Sequence, residues 1–236
     1  MLKRYLAVTF VFIIAISFIG CGAKQVIGTK PVPPLDGYSN VTIAPFDIKK
    51  PSGKYDDLPT MLAYGVGTKL GIKFPDKTWQ FNQSREINLV TDKMKELGLT
   101  PEMIYENTES AVKLGKALGS DLIIVGLLTE PKYDIQRSGK ITYDMSESTP
   151  TGAARYYTVY QTAILRVNIK IIDVNNSNVL WKEDILGYEK YETKYRTGES
   201  EKSQREEKMY ADIRKSFIDN FLTKLYPEAF PPVKAK

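Results

Sequence analysis

The spacing of apolar residues changes its period along the chain. An apolar run, Leu6–Ile16, follows the basic residues Lys3 and Arg4 near the amino terminus. Apolar residues then recur at helical spacing in the middle of the chain, alternate with polar ones over about 130–190, and return to helical spacing near the carboxyl end. These periods predict a leader, a region of helices and strands, a long antiparallel hairpin and a final helix.

The region after the leader predicts short buried strands between helices. Val41–Phe46 is typical of a buried strand that ends at a turn, and Leu122–Leu128 is apolar enough for a strand buried on both faces. Thr100 before Pro101 marks a helix start, because threonine caps a first turn and proline fits the first helical position. Helices are expected over 58–72, 88–97 and 101–118.

The alternating region predicts long strands. Ile141 and Tyr143 alternate with polar residues, and residues 148–155 are expected to form a polar turn. The return strand, 157–171, places its apolar residues on one face, because successive side chains of a strand point to opposite sides.

A second turn and an amphipathic helix complete the predicted order. Asp173–Asn178 is expected to be a hairpin turn with Asp173 as its capping residue, followed by a partner strand from Val179 to about Tyr188. Residues 199–225 carry apolar side chains at four-residue steps and predict a charged amphipathic helix. The predicted fold class is therefore α/β to α+β, a mixed β-sheet flanked by helices with a long antiparallel hairpin.

The amino terminus has the features of a bacterial secretion signal, because a basic start precedes a short apolar core and a small residue. Phe18-Ile19-Gly20-Cys21 resembles a lipobox, although leucine is usual where Phe18 stands. The resemblance implies cleavage before Cys21 and acyl chains on its sulfur and its new amino group. Two or three such chains would anchor the protein stably, at about 0.8 kcal/mol per buried CH2. Gly22, in place of aspartate, implies the outer membrane. An uncleaved membrane anchor is the alternative interpretation.

The expected organisation has four parts. They are a lipoprotein signal peptide at 1–20, a lipid-anchored tether at 21–40, an α/β domain with a carboxyl-terminal amphipathic helix at 41–226, and a tail at 227–236.

Composition excludes several chemistries. The 236 residues contain no histidine and one cysteine, which excludes histidine-dependent triads, an intrachain disulfide and cysteine-rich zinc sites. The formal net charge is +5, and loss of Lys3 and Arg4 with the leader would leave +3, which does not favour nucleic acid as a partner. The candidates for acid–base catalysis are Asp134, Asp144, Asp173 and Glu183. No sequence motif places two of them together. We therefore expect no enzyme activity, no metal and no cofactor.

Three segments, taken in order, resemble the CsgG-like lipoproteins, a group related to the TolB amino-terminal domain and to lipoprotein activators of penicillin-binding proteins. The segments are Val41–Phe46, Ala117–Gly126 and Val167–Trp181. Ser120 stands where the family pattern has alanine, and Asn176-Ser177-Asn178 replaces its Thr-Gly turn. The resemblance covers about 41–190 and implies a mixed sheet flanked by helices in a protein of the bacterial envelope.

Functions within that group vary, from a secretion pore to export rings and activators of wall synthesis. The resemblance implies a non-catalytic outer-membrane lipoprotein that faces the periplasm, an accessory or assembly component for export or envelope biogenesis. It would act by oligomerisation and by binding a periplasmic or outer-membrane protein. Lipidated Cys21 would anchor it to the membrane. The alternative is a monomeric lipoprotein activator of a periplasmic cell-wall synthesis enzyme.

Tyrosines concentrate in the predicted hairpin and its partner strand. The candidate interaction surface comprises Tyr143, Tyr156, Tyr157, Tyr160, Tyr188 and Tyr191. Tyrosine is favoured at interfaces, but it is also a good strand former, so ordinary sheet positions are the alternative. The 130–165 hairpin is long enough to span a bilayer, as in the pore-forming relative. Arg137 and Lys140 interrupt its strands and favour a soluble hairpin or a subunit contact.

Overall fold

The fold is organised by one mixed β-sheet. The computed structural model describes residues 32, 34–83, 87–149, 152–197 and 206–232, and only the backbone of 144–149, 152, 153 and 206. The predicted signal peptide, the lipobox with Cys21 and the first part of the predicted tether lie outside these residues.

Six strands make up the sheet in the described part of the chain. They are β1 (Asn40–Ile43), β2 (Asp47–Lys49), β3 (Thr78–Gln80), β4 (Leu122–Thr149), β5 (Gly152–Asp173) and β6 (Asn178–Arg196). The order across the sheet is β3-β1-β4-β5-β6, and β2 also pairs with β4. β1 runs parallel to β3 and β4, and β2 runs parallel to β4, whereas β4, β5 and β6 are antiparallel neighbours.

Helices cover both faces of the sheet. They are α1 (Leu58–Lys73), α2 (Leu89–Glu96), α3 (Pro101–Glu106), α4 (Thr108–Ala117) and α5 (Glu206–Leu225). One face packs against α1 and α5 in a core that contains Leu62 and Phe217, and the other packs against α2, α3 and α4 around Ile104 and Leu114. This arrangement confirms the predicted fold class. None of the described helices is long and apolar enough to cross a membrane.

The alternation of strand side chains supplies both cores from the same strands. Ile124 and Ile171 enter the core beneath α1 and α5, whereas their neighbours Ile123 and Ile172 enter the core on the opposite face. All four are fully buried, and burial of each such side chain stabilises the fold by about 1.5–3 kcal/mol. The prediction of a strand buried on both faces is confirmed.

α5 follows its predicted pattern over the part that the structure describes. Its buried residues at four-residue steps are Met209, Ile213, Phe217, Phe221 and Leu225. The sheet accepts the helix closely at Gly187, where an added Cβ would collide with the carbonyl oxygen of Ile213. Residues 199–205 of the predicted helix lie outside the described residues.

The single helix predicted over 101–118 is wrong, because the chain breaks at Asn107. This residue is extended, with φ −111° and ψ 115°, and its side-chain oxygen accepts a hydrogen bond from the backbone N–H of Glu109. Asparagine side chains compete with the helical backbone in this way, so Asn107 ends α3 and caps α4. The predicted cap at Thr100 is confirmed by a 3.2 Å bond from the Met103 N–H.

The strands of the hairpin are longer than predicted. β4 continues to Thr149 and β5 begins at Gly152, so the turn expected over 148–155 was placed too widely, and β6 passes the expected end at Tyr188 to reach Arg196. Pairing with β5 explains the difference, because a neighbouring strand satisfies the backbone even where the side chains are polar. The predicted turn at Asp173 is confirmed: its carboxylate accepts bonds from the N–H groups of Asn175 and Asn176.

Packing begins within the segment predicted as a tether. Leu35 is buried, and its carbonyl oxygen accepts a 2.9 Å hydrogen bond from the Lys77 ammonium group. The Tyr38 hydroxyl donates a 2.9 Å hydrogen bond to Asp173. These contacts hold residues 35–39 against the end of the sheet where β4 begins.

Candidate interaction surface

Beyond the helices, three strands continue as a narrower sheet, which we call the sheet extension. It comprises residues 132–149 of β4, 152–164 of β5 and 188–196 of β6. β1 and β2 pair only with residues 122–129 of β4, so within the described chain the outer side of β4 has no neighbouring strand beyond Thr129. Pro131 lies in a register shift at this point, where the loss of a backbone N–H is tolerated.

Strand alternation divides the six predicted tyrosines between the two faces of the extension. Tyr143, Tyr157 and Tyr191 lie on the face that α5 covers in part, which we call the helix face. The others, Tyr156, Tyr160 and Tyr188, lie on the opposite side, which we call the open face. The candidate residues therefore form two surfaces.

The inner tyrosines of the helix face are held by neighbours. The Tyr191 hydroxyl donates a hydrogen bond to Asp212 of α5, and burial, followed by this carboxylate, raises the pKa of Tyr191 above its usual range. Tyr157 and Tyr195 stack with ring centroids 6.0 Å apart, and Arg137 lies 5.8 Å from the Tyr157 centroid. Such contacts support the sheet itself.

The outer part of the helix face exposes apolar surface. Tyr143 is 61% exposed, Ile135 57% and Ile141 47%. Arg155 lies 5.8 Å from the centroid of the Tyr143 ring. Apolar side chains grouped on a sheet beyond its helices are typical of contact surfaces.

The open face combines aromatic and basic side chains. Ile164 and Tyr188 lie directly opposite each other on β5 and β6, and both are exposed. The Lys190 ammonium lies 4.2 Å from the centroid of the Tyr160 ring. No helix in the described part of the chain packs on this face of the extension. The exposed side chains of Ile164 and Tyr188 offer amphipathic area to a partner.

The two outer strands of the sheet extension, β4 and β6, have different edges. On β6, Ser216 of α5 bonds both the N–H and the carbonyl of Tyr188, at 3.2 Å and 3.0 Å, and Asn220 bonds the carbonyl of Leu186. Past Tyr188, no described side chain bonds the outer edge of β6. β4 instead carries three register shifts, after Thr129, Arg137 and Asp144, and such bulges hinder strand addition.

The four acids considered from the sequence are not brought together. Glu183 accepts a 2.6 Å hydrogen bond from Lys224, Asp173 caps its turn, and exposed Asp134 accepts a 2.8 Å bond from Gln136. The side chain of Asp144 lies outside the described atoms. Among the described residues, no three acidic, histidine or cysteine side chains are grouped to hold a metal ion.

A polar cluster that the sequence did not reveal lies beneath α3. Lys170 donates a 2.5 Å hydrogen bond to the Tyr105 carbonyl oxygen and lies 4.1 Å from that ring's centroid, while Asn168 donates to Asp184 at 2.7 Å. Burial raises the pKa of Tyr105 to about 12 and lowers that of Lys170. Because neighbours within the fold satisfy these groups, the cluster is structural. The only sequence signal was polar residues within an apolar strand.

No family model matches the chain, and no curated protein matches it. Solved structures resemble it weakly. A PelC dodecamer from Paraburkholderia phytofirmans is 11% identical, covers 83% of this chain and 94% of its own, and has a TM-score of 0.38. A lipoprotein from Neisseria meningitidis is 13% identical over 64% of this chain and 83% of its own, with a TM-score of 0.38.

The carboxyl-terminal domain of LpoB from Salmonella enterica is 11% identical, covers 64% of this chain and 85% of its own, and has a TM-score of 0.34. At these scores and identities the similarities carry no argument about the family or the function of this chain. The resemblance to CsgG-like lipoproteins therefore stays a prediction based on sequence motifs.

Proposed function

We propose that the protein is a non-catalytic outer-membrane lipoprotein that faces the periplasm and acts by binding. It serves as an accessory or assembly component for export or envelope biogenesis, through contacts between copies and with another envelope protein. Acyl chains on Cys21 hold it to the membrane.

The sheet extension carries this proposal. It continues the sheet beyond the helices and exposes Tyr143, Ile135 and Ile141 on one face and Ile164 with Tyr188 on the other. Because they are partly exposed, the three isoleucines lack part of the stabilisation of about 1.5–3 kcal/mol that full burial of such a side chain gives. A second protein that covers either face would recover part of that free energy, and tyrosine is among the residue types that contribute most to binding at interfaces.

The structure of the two edges supports the alternative, a monomeric activator of a periplasmic wall-synthesis enzyme. Capping by Ser216 and Asn220 opposes strand addition to β6 as far as Tyr188, and the register shifts oppose it along β4. A partner that binds a face of the extension does not need the edges. The two proposals therefore differ in stoichiometry.

Light scattering of the lipidated protein in detergent tests self-association. A complex of several copies is expected for the unaltered chain, and the Ile141→Ser, Tyr143→Ser double variant is expected to lower its mass towards that of one chain. Met103→Ser is the matched control, because Met103 is 44% exposed on α3, away from the extension. It should leave the mass unchanged.

A monomer at micromolar concentration would contradict self-association and leave the activator as the working proposal. An oligomer that both variants leave intact would show that the outer part of the helix face does not lie in the contact between copies. The lipid anchor has its own test: Cys21→Ser should abolish the mass increase from acylation and remove the protein from the outer-membrane fraction.

A further inference from the structure

We infer that the end of the sheet at which α1 ends and β3 begins rests on the bilayer beside the lipid anchor, so that the sheet extension points away from the membrane. The inference depends on the proposed anchor at Cys21 and adds an orientation to it. The contact surface is the Ile72 end of a groove, here called the α1 groove, lined by residues that include Tyr64, Gly67, Thr68, Gly71, Ile72 and Phe81.

The α1 groove is shallow and uncharged. It has a volume of about 390 Å³, and its lining contains no charged side chain. Gly67 lets the Phe81 ring lie directly on the helix, because an added Cβ would collide with that ring. The Tyr64 ring meets Phe81 edge-on, with centroids 6.1 Å apart. The groove therefore presents aromatic walls around a helix backbone without bulky side chains.

The rim of the groove is formed by Ile72, which is the most exposed large apolar residue in the described chain. Ile72 is 78% exposed, and Tyr64 is 44% exposed two turns earlier on α1. Lys73 follows Ile72 at the end of the helix and is also exposed. An apolar side chain next to a flexible ammonium suits a bilayer surface, where the apolar part enters the acyl boundary and the ammonium meets phosphate groups.

The short tether is the observation that selects a bilayer as the occupant. The chain between Cys21 and the described fold, residues 22–31, has ten residues and spans about 35 Å at most. The Lys77 ammonium bonds the Leu35 carbonyl where this chain enters the fold. Lys77 follows Ile72 by only five residues in the sequence. A lipid on Cys21 would therefore keep the groove within reach of the bilayer at high effective concentration.

The same contacts orient the rest of the molecule. β1 runs parallel to β4, and β3 runs parallel to β1, so both short strands start at the end of the sheet where β4 begins. The entering chain precedes β1, and the end of α1 precedes β3, so both lie at this same end. Gly152 lies at the other end of β5, whose 22 residues span about 70 Å. If the end of the sheet where β4 begins rests on lipid through Ile72, the tyrosine-bearing extension reaches away from that surface.

An environment-sensitive dye tests this orientation. Full-length lipidated chains with Ile72→Cys or Ile135→Cys are labelled with the fluorophore NBD, which reacts at the new thiol because the sulfur of Cys21 is acylated. Ile135 is the matched control, an isoleucine that is 57% exposed in the extension. The proteins are reconstituted into vesicles of phosphatidylethanolamine and phosphatidylglycerol, with and without brominated phosphatidylcholine, and each mass is measured.

Brominated lipid should reduce NBD emission at position 72 by about half or more and at position 135 by less than about a tenth, because shallow insertion brings only the first dye near acyl chains. Lipidated, vesicle-bound protein with neither dye quenched would overturn the inference and leave the anchor intact. Quenching at 135 alone would also overturn it, in favour of hairpin insertion. A mass without acyl chains would instead contradict the proposed anchor.

Discussion

The covered half of the sheet and the sheet extension belong to the same three strands but are stabilised differently. In the covered half, which ends near Pro131 on β4, Leu165 on β5 and Gly187 on β6, helices bury both faces. In the extension, α5 reaches only the first rows of one face. Side chains there make pairwise contacts such as the Tyr157–Tyr195 stack.

This difference separates stability from interaction. Burial in two cores supplies most of the free energy of folding, because the hydrophobic term grows with the apolar area removed from water. Cross-strand pairs contribute only about 0.2–1 kcal/mol each. The extension can therefore vary its exposed side chains at little cost to the fold, which suits a surface that binds partners.

The largest expected effect comes from the centre of the covered half. Phe217→Ala should lower the free energy of unfolding by about 3–5 kcal/mol, because the side chain is fully buried between Phe46 and Phe221. Ile135→Ala in the extension should change it by less than about 0.5 kcal/mol. Urea denaturation measures both, and equal losses would contradict the division into two regions.

A smaller effect is expected at the ion pair between β6 and α5. Lys224→Met should cost about 1–3 kcal/mol, because it leaves the mostly buried Glu183 carboxylate without its cation. Adding Glu183→Leu should restore much of that loss, since no charge then stays buried. Lys190→Met, which removes the cation over Tyr160 in the extension, should cost no more than about 1 kcal/mol. A Lys190 loss larger than that of Lys224 would contradict the comparison.

The turn between β5 and β6 should give an effect of about 1–2 kcal/mol. Asp173→Ala removes the acceptor of the Tyr38, Asn175 and Asn176 bonds. Burial alone would raise the pKa of Asp173, but the bonds from Asn176, Tyr38 and Asn175 outweigh it and hold the pKa below its usual value. The carboxylate therefore stabilises the fold above its unfolded pKa of about 3.9, and this stability is lost as pH falls through the lower folded value.

Denaturation curves at a series of acidic pH values measure that loss. The unaltered chain should lose stability on acidification, and Asp173→Asn should lose less over the same interval because its amide does not titrate. Identical slopes for the two proteins would show that the Asp173 pKa is not depressed in the fold.

A small effect on folding is also expected for the open face. The Ile164→Ser, Tyr188→Ser double variant should lower stability by less than about 1 kcal/mol, because both side chains are partly exposed and pair mainly with each other. Thermal unfolding measures this change, and light scattering of the same samples reports on association. A loss of several kcal/mol would mean that the open face belongs to the stabilising core.

Much of the fold followed from local patterns, and the failures have definite causes. The apolar spacing of α5 and the double burial of β4 were predictable because burial leaves a periodic record in the sequence. The break at Asn107 was not, because an asparagine side chain that bonds its own backbone is compatible with either outcome until packing decides. The extra length of β6 was also missed, because its polar alternation resembles loop composition.

The candidate surface shows the same limit. Tyrosine enrichment was visible in the sequence, but the face on which each tyrosine lies depends on the strand register, because successive side chains point to opposite faces. Whether the helix face is covered at a given position depends on where α5 begins, because the first turns of α5 lie over the extension. Tyr191 is bonded to Asp212, whereas Tyr143, from the same predicted set, is exposed.

The sequence by itself determined the fold class, the chemistries excluded by its histidine and cysteine content, and the prediction of a lipid anchor, because these depend on composition and local order. Only the tertiary structure decided that the strands extend beyond their helices, that Ser216 and Asn220 cap one edge, and that Lys77 holds the entering chain at the start of β3. Those features depend on contacts between residues that are distant in sequence, and such contacts form only when the sheet and helices pack together.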